Sequence, residues 1–162
     1  MNIACKDVDE SYLHSAPMRF VNEVILDATP EEVFAIFEDE NSWPKWFKGI
    51  KHVEWTSPKP YSVGTTRTVT LDAMKVYEHF IIWEQNKRFA FYFTSTGLPF
   101  VKSLCEDYQL EAVGDSQTRF IYTVACDPIL LIKMTGPLAK YALGNMFKNA
   151  AESLRLYIQD NK

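Results

Sequence analysis

The stretch from Val21 to Trp55, VNEVILDATPEEVFAIFEDENSWPKWFKGIKHVEW, decides how the chain is read. With Arg19 and Phe20 before it, its opening alternates Phe20, Asn22, Val24 and Leu26 against Val21, Glu23 and Ile25. Period two with β-branched residues marks a strand. The period then changes. Thr29 can cap a helix, Pro30 suits its first position, and Glu32 completes a capping box. Val33, Ile36 and Phe37 recur at helical spacing, which predicts a short helix. Trp43, Pro44, Trp46 and Phe47 follow within a few residues. Pro44 biases Trp43 away from helix, Gly49 ends the segment, and KHVEWT reads as a second strand. Aromatics this dense more often seal a core than trap a ligand. With Val33, Phe34, Ile36 and Phe37 they are expected to plug one end of the interior.

Downstream the pattern stays β. TTRTVTLD and KVYEHFIIWE read as strands joined by a tight turn at Ala73 and Met74. RFAFYFTS, LCEDYQLEAV and QTRFIYTVAC are further strands, the last two joined by Gly114, Asp115 and Ser116, a strong turn signal. Gly136 and Pro137 then open a long helix to about Gln159. Ala139, Leu143, Met146, Phe147, Ala150, Leu154 and Tyr157 share one face of it, and Lys148, Glu152, Arg155 and Gln159 the other. The sheet is the only large partner for that apolar stripe. Residues 1–18 are polar and aperiodic, so a loose N-terminal arm is expected before one domain over 19–162.

Composition excludes several functions. Net charge is −4 and the basic residues are scattered, so no nucleic-acid partner is expected and a membrane surface gains no electrostatic support. No apolar run, Ile129 to Ile132 included, is nearly long enough to span a bilayer, which argues against stable membrane insertion. MNIACKDVDE lacks the apolar core of a signal peptide. Cys5, Cys105 and Cys126 are widely spaced without a CxxC, which fits reduced thiols and a cytoplasmic location. His14, His52 and His79 stand alone, so no metal site is expected. No GxSxG, GxGxxG or Walker loop occurs, and no cofactor is expected.

The Val21–Trp55 stretch resembles the opening of the START-like (SRPBCC, helix-grip) superfamily, of polyketide cyclase/dehydrase and lipid-transport type. VGTTRTV, VYEHFIIWEQNKRFAFYF and the long last helix extend the likeness over roughly residues 19 to 160. The resemblance implies an α+β helix-grip fold: a seven-stranded, bent antiparallel sheet around a long C-terminal helix, with two short helices between the first and second strands. It also implies an apolar cavity between sheet and helix. Family members carry a carboxylate at the position of Glu78 and point it inward. By the same alignment Ala90, Tyr92 and Thr94, then Glu106, Tyr108 and Leu110, then Phe120, Tyr122 and Val124 face the cavity.

The turn at Ala73 and Met74 would pair Val69 with Glu78 and set Arg67 diagonally beside it. The two form either a buried structural ion pair or an anchor for a polar ligand group. The candidate ligand-binding residues are thus Arg67, Glu78, Tyr92, Tyr108 and Tyr122, with Leu143, Met146 and Phe147 from the last helix. Gly97, Leu98, Pro99 and Phe100 are a candidate lid. Hormone-receptor relatives carry a similar Gly-Leu-Pro gate, but between the third and fourth strands, where this chain has only a tight turn.

Three functions fit the resemblance. The favoured one is noncatalytic binding or transport of a small hydrophobic molecule: a lipid, an isoprenoid or a polyketide-like compound. The second is a cyclase- or dehydratase-like enzyme, with Arg67 holding an enolate or carbonyl oxygen and Glu78, Tyr108 or Tyr122 moving protons. The third is a co-chaperone or quinone-associated interaction module using the aromatic end or the lid. It requires an exposed apolar patch around Trp43 and Trp46. No particular protein partner is indicated.

Overall fold

The computed structural model describes residues 1–162. The N-terminal segment is not a loose arm. β1 (Ile3–Ala4) pairs antiparallel with Thr96 and Ser95, and the Cys5 and Lys6 amides donate to the carbonyls of Thr94 and Lys102. α1 (Tyr12–Ser15) buries Leu13 against Cys105 and Ala125 on the outer face of the sheet. Arg19 Nε donates to the Leu13 carbonyl at 2.8 Å, and Tyr12 Oη lies 2.5 Å from Ser103 Oγ. These contacts are non-local and rest on single residues, which is why no periodicity announced them.

β2 (Met18–Leu26) is followed by α2 (Pro30–Glu38) and α3 (Trp43–Trp46). The capping box at Thr29 and Glu32 forms on both sides. Pro44 does not keep Trp43 out of the helix. It lies in the first turn of α3, where its missing N–H costs no hydrogen bond. β3 (Ile50–Trp55), β4 (Thr66–Leu71), β5 (Lys75–Glu84), β6 (Arg88–Thr96), β7 (Val101–Val113) and β8 (Gln117–Pro128) complete the sheet. Its order is β2-β8-β7-β6-β5-β4-β3, all antiparallel, with β1 attached to β6 off this path. α4 (Leu130–Lys133), a helical turn the sequence pattern did not announce, precedes α5 (Pro137–Asp160). α5 lies against β2 and α3. No helix is long and apolar enough to cross a membrane.

β6 and β7 pair only from Arg88–Gln109 to Tyr92–Cys105, and then they splay. The β6 edge beyond Tyr92 would be left without backbone partners. Ile3, Ala4 and Cys5 supply them. The splayed end is where the sheet opens.

Two registers differ from expectation. Leu71 N donates to Met74 O, so the β4–β5 turn centres on Asp72 and Ala73 and Val69 opposes Val76. Arg67 therefore stands directly across from Glu78, not diagonal to it. In β5 a register shift between Phe80 and Ile82 turns Trp83 inward, 5.5 Å from Phe34 and 5.6 Å from Phe89.

The aromatic stretch forms the plug. Phe37 is ringed by Trp43, Trp46, Phe89, Tyr108 and Phe120 at 5.4–6.2 Å. Trp43 Nε1 donates to the Phe37 carbonyl and Trp55 Nε1 to that of Glu38, so the indole N–H groups fasten α2 to α3 and β3. Trp43 is 1% and Trp46 3% exposed. An interaction surface built on this pair is thereby ruled out.

Candidate functional site

Between the N-terminal half of α5, the strands β4 to β8 and the plug lies a cavity of about 500 Å³. Its walls are chiefly apolar: Val69, Val76, Phe93, Leu104, Tyr108, Leu143 and Phe147, with Trp43 from the plug. The mouth lies among the Phe47–Ile50 loop, the Leu71–Met74 turn, the Leu98–Val101 strap and Met146.

Two charged groups of the lining, Arg67 and Glu78, sit on the neighbouring strands β4 and β5. Arg67 is 2% and Glu78 4% exposed, and Arg67 Nε donates to Glu78 Oε2 at 2.6 Å. Four rings box the guanidinium carbon: Trp43 at 4.5 Å, Phe91 at 5.0 Å, Trp55 at 5.2 Å and Phe80 at 5.3 Å. The carboxylate and the ring faces together replace the water the cation has lost. Nε makes the guanidinium's single hydrogen bond, so both terminal nitrogens are left over. Arg67 Nη1 is buried and has no hydrogen-bond partner.

Glu106 is the second carboxyl group. Antiparallel pairing places it across from Phe91 on one side and Val124 on the other. It accepts a hydrogen bond from Tyr122 Oη. Burial, reinforced by the negative charge of Glu78, pushes its pKa up to about 8 against the pull of Tyr122 and Arg67. Glu106 is therefore a neutral acid near pH 7. Burial also pushes Glu78 up, opposed by the guanidinium beside it. Tyr108 and Tyr122 are held well above the ordinary phenol value, again by burial. Cys126, on the wall, is pushed up to about 12 by burial and by Asp127 and Glu106, so it is an inert thiol. The site thus offers unpaired guanidinium N–H groups, one neutral carboxyl group and no activated nucleophile. No cluster of His, Cys, Asp or Glu is placed to hold a metal ion.

The structure brings Arg67, Glu78, Tyr108, Leu143, Met146 and Phe147 to the cavity. Tyr122 stands one layer back, bonded to Glu106 and edge-on to Phe147 at 6.0 Å. Tyr92 does not belong. It lies on the outer face against the Leu13 cluster, 5.4 Å from His79. Phe89, Phe91 and Phe93 are the inward residues of β6, and Ala90 and Thr94 share the outer parity of Tyr92. The Phe-x-Phe-x-Phe alternation carried that signal, but Ala90 and Tyr92 are apolar enough to blur it.

Leu98, Pro99 and Phe100 line the mouth as the proposed lid requires. Gly97, the first residue of the candidate lid, lies tight against β5. Its amide donates to the Lys75 carbonyl, and a Cβ there would meet Met74 Cβ at 3.2 Å and Lys75 N at 3.3 Å. Glycine is needed for close approach of the two strands. Glu106, Val69, Phe93, Leu104 and Cys126 join the site; of these Glu106 had been read as facing inward and Val69 as the cross-strand partner of the inward Glu78.

A family model described as polyketide cyclase / dehydrase and lipid transport matches residues 17–159. An uncharacterized protein of Mycobacterium tuberculosis is 40% identical over 122 residues, covering 75% of this chain and 72% of its own. A START superfamily protein from Mycobacterium smegmatis superposes with a TM-score of 0.75 at 14% identity, covering 89% of this chain and 99% of that one. An aromatase/cyclase from a Streptomyces species gives 0.68 at 13% identity, with 88% and 92% covered. At such identities these solved structures speak for the fold alone.

Proposed function

The chain belongs to the polyketide cyclase/dehydrase and lipid-transport family, and on that footing we propose that it binds and carries a small hydrophobic molecule in the cavity between sheet and α5. One observation carries this reading: an apolar hollow of about 500 Å³ with a buried Arg67 nitrogen that lacks an acceptor. That size falls in the range of small-molecule sites, about 300–1,000 Å³. A buried unpaired donor costs about 1–3 kcal/mol, and more when charged, and a ligand oxygen would relieve the cost. The ligand is accordingly an apolar body, such as an acyl, isoprenoid or polyketide-like skeleton, with an oxygen at its inner end.

Thermal unfolding with a panel of such molecules tests the reading. A ligand at about one hundred times its Kd adds about 2.7 kcal/mol, which raises Tm by about 5–10 °C for a chain of this size. Phe147→Trp, which narrows the cavity, should remove the shift. A panel that shifts nothing contradicts the carrier.

Glu106 supports one alternative. A neutral acid with a pKa near 8, on the same cavity wall as Arg67, is equipped to give a proton to a carbonyl oxygen that the guanidinium polarises. On this reading the protein is a cyclase- or dehydratase-like enzyme. Consumption of a poly-ketone by the wild type, abolished in Glu106→Gln but with binding retained, would select it over the carrier.

A further inference from the structure

Next to the cavity mouth the chain leaves large apolar side chains in solvent. Leu130 (67%), Leu131 (73%), Met134 (75%), Leu138 (71%) and Tyr141 (73%) are all strongly exposed. They fall on α4, the turn after it and the first turns of α5. Scattered exposed leucines need no explanation, but this cluster occupies one short segment. It is anchored beside the lid, because Ile129 N donates to Phe100 O at 3.0 Å. Leu138, Ala142 and Met146 fall at helical spacings of four, and Met146 lines the mouth. The apolar ridge therefore runs from α4 to the rim of the cavity.

The charge of this segment selects the occupant. From Pro128 to Ala151 there is no Asp or Glu, while Lys133, Lys140 and Lys148 are present, in a chain whose net charge is −4. Lys133 reaches Asp127 just before the segment. A symmetric contact with a second copy would set these lysines against their own equivalents, a like-charge arrangement. An anionic lipid surface complements both features, since leucine, methionine and tyrosine enter the acyl boundary while lysines meet phosphates. Whole-chain composition hides this, because the acidic residues lie elsewhere.

We propose that α4 and the first turns of α5 form a docking face for anionic phospholipid bilayers, with the cavity mouth at its edge. Docking of this kind is interfacial and reversible, and it does not require the cavity to hold a ligand. If the carrier reading above is also right, the face would deliver the mouth to a membrane from which an apolar molecule can enter.

Cosedimentation of the full chain with phosphatidylcholine vesicles containing phosphatidylglycerol tests the face. Binding is expected to these, to weaken with added salt, and to be nearly absent on phosphatidylcholine alone. Leu131→Ser with Leu138→Ser should weaken binding roughly tenfold or more, and Lys133→Ala with Lys140→Ala about tenfold. Leu131→Met with Leu138→Met should preserve it and serves as the folded control. Absence of binding to the anionic vesicles, or binding unchanged in the serine variant, overturns the proposal. So does a wild-type dimer in sedimentation velocity that the serine variant splits into monomers. Because no cavity ligand is added, failure here leaves the carrier reading standing, and failure of the thermal-shift panel leaves this one.

Discussion

The two halves of α5 meet the same sheet and do opposite things. In the C-terminal half Ala150, Ala151, Leu154 and Ile158 are all within 5% of full burial. In the N-terminal half Leu138, Tyr141 and Met146 stand in solvent, while Leu143, Met146 and Phe147 front a hollow. The small residues Ala150 and Ala151 let the helix close on the sheet at one end. At the other, β6 and β7 splay, and a charged pair occupies the wall where aliphatic side chains would otherwise fill the space. One half of the helix closes on the sheet throughout, and the other touches β2 tightly at Gly144 and Phe20 but leaves a hollow beside it. Gripping and binding are thus divided along a single helix.

The largest effect should come from the charged pair. Arg67→Met leaves Glu78 buried and alone, and should cost about 3–5 kcal/mol in denaturant unfolding. Adding Glu78→Leu should recover most of that loss. If the double variant is as unstable as the single, the pair is needed for more than mutual neutralisation. Next is the contrast between the halves themselves. Leu154→Ala, at a fully buried position, should cost about 3–4 kcal/mol. Leu143→Ala, which only enlarges an existing hollow, should cost less than about 1 kcal/mol. Equal losses would mean that the open half is packed after all.

The pH dependence comes third. Burial raises Glu106 from an ordinary 4.5 to about 8. Between those values the folded chain keeps a proton that the unfolded chain releases, so stability falls as pH rises from about 4.5 to about 8 and then levels off. Glu106→Gln should flatten that slope, leaving the share that belongs to Glu78, and add about 2–3 kcal/mol at pH 7. A variant with the wild-type slope would place the titration elsewhere. A small effect, about 1 kcal/mol, is expected at Gly97→Ala from the tight contacts with Met74 and Lys75.

Local features were the readable ones. The capping box at Thr29 and Glu32, the plug around Trp43 and Trp46 and the extent of α5 follow from short-range spacing. The Arg67–Glu78 pair was legible only through the family resemblance, which turned Glu78 inward, since β4 and β5 also carry Thr66, Thr68, Thr70, Lys75 and His79. What failed depended on distant chain. Tyr92 was assigned inward by the family alignment, and alternation did not correct it because β6 is apolar on both faces, its outer side being covered by α1. The β4–β5 register slipped because Asp72, Ala73 and Met74 offer no glycine to fix the turn centre. The Ile129–Ile132 run was read only as too short to span a bilayer, and the exposure of Leu130 and Leu131 went unannounced, because hydrophobicity alone cannot tell a side chain that packs inward from one left for a partner.

Native mass spectrometry of the chain, freshly purified and incubated with a lipid extract, tests the division of labour along α5 most directly. The account predicts a bound apolar molecule at one-to-one stoichiometry, lost in Phe147→Trp and retained in Leu156→Ser, a change on the exposed side of the closed half. A bare polypeptide mass under every condition, or an adduct indifferent to Phe147→Trp, would contradict it.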